Sequence, residues 1–449
     1  MSDALLNDEV LPKLARAGDR DADEVVERVV ASFELPSADP NWEERRGAYP
    51  RLMQEIGRDD DDALVKAFLR GGGEIDAKIQ AKIVHRAQAF FEEHGVAVIT
   101  ALFLASLPHA YLGRRGVQAL DMTGELVANW SRRIQETGQF LVNVLTRDPA
   151  MAERDRTTLH HGESGARVVR RVRLTHSAVR WLLKAPYDPK LTLLSREELA
   201  DPKTLWHLRM SQIDERVGDD LSEPLNQEDM LATLGTFTTV VFGALGKLAV
   251  PFDKEEQEAF YHLWNIVGWH LGIGDERALA DVDIGLPDRD WPHNKILPLD
   301  VNEMDRVFGH LRPRLERASE QGRRLAKTLV QDFSYPLPRP IQGGPAFVVR
   351  YLIGDGPADM LEIGGGGYAS LVARRSRALE RLAERTRTSV LGRHTLAAVA
   401  QMLTRYALRN FVARSRESER GLTIEPHMAS RWGVETGPEL LIHESPARL

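Results

Sequence analysis

Apolar residues recur every three or four positions along most of this 449-residue chain, and strict polar–apolar alternation is rare. That spacing predicts helices over 77–94, 96–107, 117–145, 165–185, 226–247, 253–272, 301–332, 345–354 and 366–414. Pro- and Gly-containing stretches separate them, the longest being Asp281–Asp300. Residues 1–60 are polar and run into the acidic series Asp59–Asp62, which reads as short helices and an irregular lead-in. GGGE at Gly71–Glu74 reads as a break before the next helix. No segment repeats with a period of roughly 20–50 residues. The expectation is an all-α fold. A helical and irregular extension covers 1–44, one large domain covers 45–415, and an irregular tail covers 416–449.

Composition narrows the chemistry. The chain holds no cysteine. That removes disulfides, thiolate-held zinc and iron–sulfur centres, thiolate-ligated haem and cysteine nucleophiles. Any metal must be held by His, carboxylate or other oxygen donors. A net charge of −7 argues against nucleic acid held on a broad basic surface. The most apolar stretch, Val96–Leu107, is shorter than the roughly 17–25 residues a bilayer requires, and reads as a buried helix. No transmembrane segment is expected. The charged N-terminal stretch has no secretory core, so a cytoplasmic location is expected.

One segment concentrates candidate chemistry: RRVRLTHSAVR, Arg170–Arg180. On a helix over Ala166–Lys184, Val168, Val172, His176, Val179 and Leu183 fall on one apolar stripe, with Arg173 and Arg180 beside His176. Two neighbouring arginines disfavour protonation of an imidazole, and the neutral form is the one that binds metals. Phasing alone favours a core histidine bonded to a carbonyl. The competing reading is an axial haem ligand, with Arg173 and Arg180 pairing the propionates.

Four segments in order resemble the latex clearing protein (rubber oxygenase) and mycophenolic-acid-pathway oxygenase superfamily. They are RVRLTHSAVR; RRIQETGQF at Arg132–Phe140; the pair PLNQEDMLATLGTF and YHLWNIVGWHLGIGDE within Pro224–Glu276; and FVVRYLIGDGPADML at Phe347–Leu361. The resemblance spans about 45–365. It implies an all-α fold with a globin-like core, haem b as cofactor and iron held by His176. It also implies dioxygen as co-substrate with a small hydrophobic substrate. The family's distal arginine and threonine fall on Arg133 and Thr137. Arg133, Glu136, Thr137 and Phe140 share one helix face by spacing. An arginine and a hydroxyl there would hydrogen-bond bound dioxygen.

The chain departs from the rubber-cleaving members in two places. Glu136 stands where their distal motif has lysine, and Ser177 replaces an alanine beside the ligand. A carboxylate accepts a proton or pairs with Arg133 and cannot donate as an ammonium does. This points to an apolar or aromatic organic substrate other than rubber. Glu136 is thus a candidate proton acceptor or a structural partner of Arg133.

Other constellations carry less. No pair of Glu-x-x-His motifs suggests a di-iron bundle. His160 and His161 sit in HHGESG, which reads as a turn. His262 and His270 flank tryptophans and read as core or pocket lining. EIGGGG at Glu362–Gly367 lacks the Lys-Ser/Thr of a phosphate loop. The arginine-rich stretch 370–414 reads as amphipathic packing. The leading expectation is a haem-dependent oxygenase. Two readings compete with it: a non-catalytic haem or small-hydrophobic-ligand binder of the same fold, and a helical interaction protein without cofactor.

Overall fold

The computed structural model describes residues 9–58, 62–123, 130–187, 204–213, 222–284, 300–334, 342–364, 424 and 426–432, with isolated positions at 297, 402 and 405. Among them the fold is all-α, and β-pairing is limited to two isolated bridges. The helices used below are α1 (Val10–Arg16), α2 (Arg20–Ala31), α3 (Trp42–Gly57), α4 (Ala63–Leu69), α5 (Ala81–Ala101), α6 (Leu107–Tyr111), α7 (Arg114–Met122), α8 (Trp130–Leu145) and α9 (Ser164–Leu183). They continue with α10 (Gln227–Gly235), α11 (Val241–Lys247), α12 (Lys254–His270), α13 (Val301–Leu315), α14 (Glu320–Ser334), α15 (Gly344–Ile353) and α16 (Pro426–Trp432).

Side-chain caps set many of the starts. Asp19, Asn41, Asp62, Asn226, Asp253 and Asp300 each accept a backbone N–H at the head of a helix. Asn41 with Glu44 and Asp253 with Glu256 complete reciprocal capping boxes. The main core gathers α5, α8, α11, α12, α13, α14 and α15 around Phe91, Phe260 and Trp264. A second core joins Val26, Val29, Leu52, Ile56 and Val65 of the N-terminal helices to Leu174, Ala178 and Leu182 of α9.

Several expectations change. The helices expected at 77–94 and 96–107 form one run, Ala81–Tyr111, through a π-helical turn at Leu102–Ser106. Only His94 departs from helical geometry, at φ −109° and ψ 17°. Gly95 follows it because Trp432 of α16 lies there: a Cβ on Gly95 would sit 2.0 Å from the indole. That run and Gln227–Lys247 are both long and apolar enough to cross a membrane by length and composition. The apolar window is 78% buried inside the fold in the first and 50% in the second. The short stretch read from the sequence is therefore part of a longer apolar helix.

The helix expected over 301–332 is two helices. The first runs through Pro313 to Leu315, and just beyond it Arg317 N–H leaves the helical ladder and donates to Leu112 O at 2.9 Å. The helix expected over 117–145 is α7 and α8, with 124–129 outside the described residues. Gly73–Lys78 is a short 3₁₀ turn. Most of 366–414 and of the Asp281–Asp300 connection lies outside the described residues.

The expected boundary at residue 44/45 falls inside α3, and the N-terminal helices share a core with α9. The tail holds a docked helix as well. Trp432 of α16 packs edge-on to Phe91 and its Nε1 donates to Glu92 O at 3.1 Å.

Candidate active site

Helix α9 carries the candidate ligand, and its faces have different neighbours. Leu174, Ala178 and Leu182 face the N-terminal core, and Val169 belongs to the main core. The stripe predicted from phasing differs from the buried one. Val168, Val172, His176 and Val179 are only half-buried, whereas Ala166, Val169, Arg173, Leu174, Ser177, Ala178 and Arg180 are buried. Leu183 is buried as expected. Val179 packs against the N-terminal core and the Trp206 cluster, so the helix leaves Val168, Val172 and His176 incompletely covered, flanked by fully packed positions.

The arginines expected at haem propionates are committed to protein carboxylates. Arg173 Nε donates to Asp19 Oδ2 and its Nη2 to Asp19 Oδ1, both at 2.7 Å, and Nη2 donates to Asp275 Oδ2 at 3.1 Å. Arg180 Nε donates to Asp23 Oδ1 at 2.8 Å, and its Nη2 lies 2.7 Å from the same oxygen and 3.7 Å from Asp19. Ser177 Oγ also donates to Asp23 Oδ1, at 2.6 Å. A guanidinium–carboxylate fork such as Arg173–Asp19 adds geometric specificity as well as energy. Of the two residues expected at the propionates, both thus bind carboxylates at the head of α2, and Arg173 alone also reaches Asp275 in the turn before Glu276. Burial pulls the Asp19 carboxyl up, but Arg173 and Arg180 hold it below its usual value. Burial, reinforced by Asp19, pushes Asp275 up to about 6 against the pull of Arg173.

Arg170 lies on the same side of α9. Its Nε donates to Phe68 O at 2.6 Å, and its guanidinium stacks over the Phe68 ring at 4.4 Å. Burial lowers it to about 10. Gly72, at φ +89°, accommodates it: a Cβ there would lie 2.9 Å from Arg170 Nη1. The GGG break is thus the seat of a buried arginine.

Helix α8 packs against α9. Its Glu136 and Thr137 are half-buried, as is Phe140 one turn on. Arg133 belongs to α8, but its side chain lies outside the described residues. Phe140 reaches Trp264 of α12 with ring centroids 6.5 Å apart, and Phe237 lies 4.6 Å from the same indole. Phe237 sits in a π-helical turn, Thr236–Val240, an irregularity frequent at functional sites.

The other histidines keep their expected places. His160 is buried in the turn, where its Nδ1 accepts the Thr157 N–H at 3.0 Å, and burial lowers its pKa. His161 is exposed and pairs with Asp76. Burial lowers His262 to about 4 and His270 to about 3. His270 Nε2 bonds Leu159 O at 2.9 Å, a core role. A separate cleft of about 630 Å³ opens between the Phe33–Pro40 loop and α9, bordered by Asp39, Arg45, Trp181 and Lys184.

The donor set fits a haem. A lone imidazole suits an iron already held by macrocycle nitrogens, and Val168 and Val172 on its strip suit a flat apolar group. Sequence reasoning missed Asp19, Asp23, Asp275, Phe237 and Trp264. No local pattern ties Asp19 to an arginine 154 residues away.

The sequence profile of the family described as "ER-bound oxygenase mpaB/B'/Rubber oxygenase, catalytic domain" matches residues 95–388, which include α8 and α9. No curated protein matches the chain. A solved structure of latex clearing protein in the closed state resembles it at 18% identity and a TM-score of 0.43, covering 87% of this chain and 91% of that one.

Proposed function

Because the chain belongs to the ER-bound oxygenase mpaB/B'/rubber oxygenase catalytic-domain family and is an oxygenase, we propose that it uses haem b and dioxygen on an apolar or aromatic organic substrate other than rubber. The observation that carries this reading is the half-covered strip of α9, where His176 stands with Val168 and Val172 on a helix packed by α8.

In this reading His176 would hold the haem iron through its imidazole, and Val168 and Val172 would form an apolar wall that excludes water. Haem supplies the redox chemistry for oxygen activation. On α8, the Thr137 hydroxyl donates a hydrogen bond to oxygen, with Arg133 one turn before it. Glu136 takes up a proton at its carboxylate, where the rubber-cleaving relatives carry a lysine that donates. This difference is the support for a substrate other than rubber. Arg173 and Arg180 hold α9 in place through Asp19, Asp23 and Asp275 and leave the propionates to other groups.

The test is optical and then manometric. The purified protein, reconstituted with haem, should show a Soret band that His176→Ala loses and His262→Ala keeps. A protein that stays colourless after haem addition sinks the cofactor assignment. Substrate-dependent oxygen uptake then separates the oxygenase from a haem carrier.

A further inference from the structure

The largest fully buried side chains are three tryptophans, Trp206, Trp264 and Trp432. Two have their indole N–H satisfied: Trp206 Nε1 donates to Ser222 O at 2.8 Å and Trp432 Nε1 to Glu92 O at 3.1 Å. Trp264, only 1% exposed, is the exception, and its Nε1 is buried with no hydrogen-bond acceptor among the described residues. Its ring neighbours are Phe237, Phe260 and Phe140, at centroid distances of 4.6, 6.2 and 6.5 Å, and none carries an acceptor oxygen. Buried indole N–H groups ordinarily find a partner.

The position of this orphan donor matters. Phe140 lies on α8 one turn beyond Glu136 and Thr137 and on their helix face. Phe237 lies on the π-helical turn. Both rings are only half-buried, although both pack on a fully buried indole. Ligand sites combine such apolar and aromatic walls with a few placed polar groups.

We infer that the Trp264 indole N–H is a polar anchor for the substrate. The substrate is then an apolar or aromatic molecule bearing a hydrogen-bond-accepting oxygen, such as a carbonyl, ether or phenol. The inference rests on the oxygenase-site reading for the word substrate, but the anchor itself is a binding property. A hydrocarbon polymer offers no acceptor and would leave the N–H as orphaned as before. This bears on rubber independently of Glu136.

The probes are acetophenone and isopropenylbenzene, which share a shape and differ by a carbonyl oxygen in place of a methylene. Calorimetric titration of the full-length, haem-reconstituted protein should show acetophenone binding about tenfold tighter, the worth of one buried hydrogen bond. Trp264→Phe should abolish the preference. Trp206→Phe, which loses a satisfied hydrogen bond elsewhere, should lower the melting temperature more than Trp264→Phe does and keep the preference. Equal binding of the two probes by the wild type, no binding of either, or a preference retained in Trp264→Phe overturns the inference. A preference without oxygen uptake on any substrate leaves the anchor standing and sinks the oxygenase reading of this site; oxygen uptake without a preference does the reverse.

Discussion

Asp19→Asn removes one charge from the centre of the α2–α9 joint and keeps the shape of the side chain. The amide oxygen can still cap α2 by accepting the Ala22 N–H, 3.3 Å away in the wild type. What is lost is the two-pronged contact to Arg173 at 2.7 Å per prong, together with the 3.7 Å approach to Arg180. Both partners are within the core, with side-chain exposures of 5% for Asp19 and 7% for Arg173. Breaking such a pair by removing one partner costs about 3–5 kcal/mol, because a cation is left buried. Arg173 keeps Asp275 at 3.1 Å, so the low end, about 3 kcal/mol, is expected. With a urea m-value of about 3 kcal/mol/M, the unfolding midpoint should fall by about 1 M. The sign with pH follows from linkage. Asp19 has a lowered folded pKa, so its contribution is complete above its unfolded value of 3.8 and is lost as pH falls through the folded value. The effect of Asp19→Asn should therefore be full at pH 7 and shrink below about pH 4. A destabilisation within about 0.5 kcal/mol, the range of an ordinary surface substitution, would refute the reasoning. So would additivity of Asp19→Asn with Arg173→Met in a double-mutant cycle.

Asp275 gives the opposite slope. Its folded pKa is pushed up to about 6 from 3.8, so the folded state holds a proton that the unfolded chain has already released. Stability should fall by up to about 3 kcal/mol between pH 4 and 6 from this group. Asp275→Asn should flatten that segment of a urea-midpoint profile, and an unchanged slope counts against it. Gly95→Ala should displace Trp432 and expose α16 to limited proteolysis, since the added methyl would meet the indole at 2.0 Å. It should cost nothing further in a Trp432→Ala background, and an additive loss there would show a different cause. His176→Ala should remove the Soret band without lowering the apoprotein's melting temperature, because His176 is only half-covered. A fall of several degrees in the apoprotein would mark it as a core residue instead.

The helices α5, α8, α9, α12 and α15 were legible from their apolar spacing, although Gly95–Ala101 of α5 and Leu263–Gly268 of α12 are buried at every position. The order of the family-like segments, and with it the candidacy of Glu136, Thr137 and His176, is also a property of local sequence. Arg173 and Arg180 show where legibility stops. Their place beside His176 on the helix was readable, but their partners were not. A guanidinium pairs with whichever carboxylate the fold delivers, and Asp19, Asp23 and Asp275 arrive from distant segments. The same limit explains the misread stripe. Phasing identifies which residues share a face, whereas coverage of that face depends on which helix packs there. The N-terminal helices cover Leu174, Ala178 and Leu182 and leave the His176 strip half-open.

Local sequence alone therefore determined the helical class and the absence of thiol chemistry, because these depend on residue identity and short-range periodicity, whereas the candidacy of His176 came from the resemblance of its segment to the family's. Only the tertiary structure decided that two arginines pair with carboxylates of distant segments, that the N-terminal helices pack on α9, and that one buried indole has no acceptor among the described residues. Each of those is a question of what lies across a gap in space between residues far apart in the chain, and burial energetics is settled there.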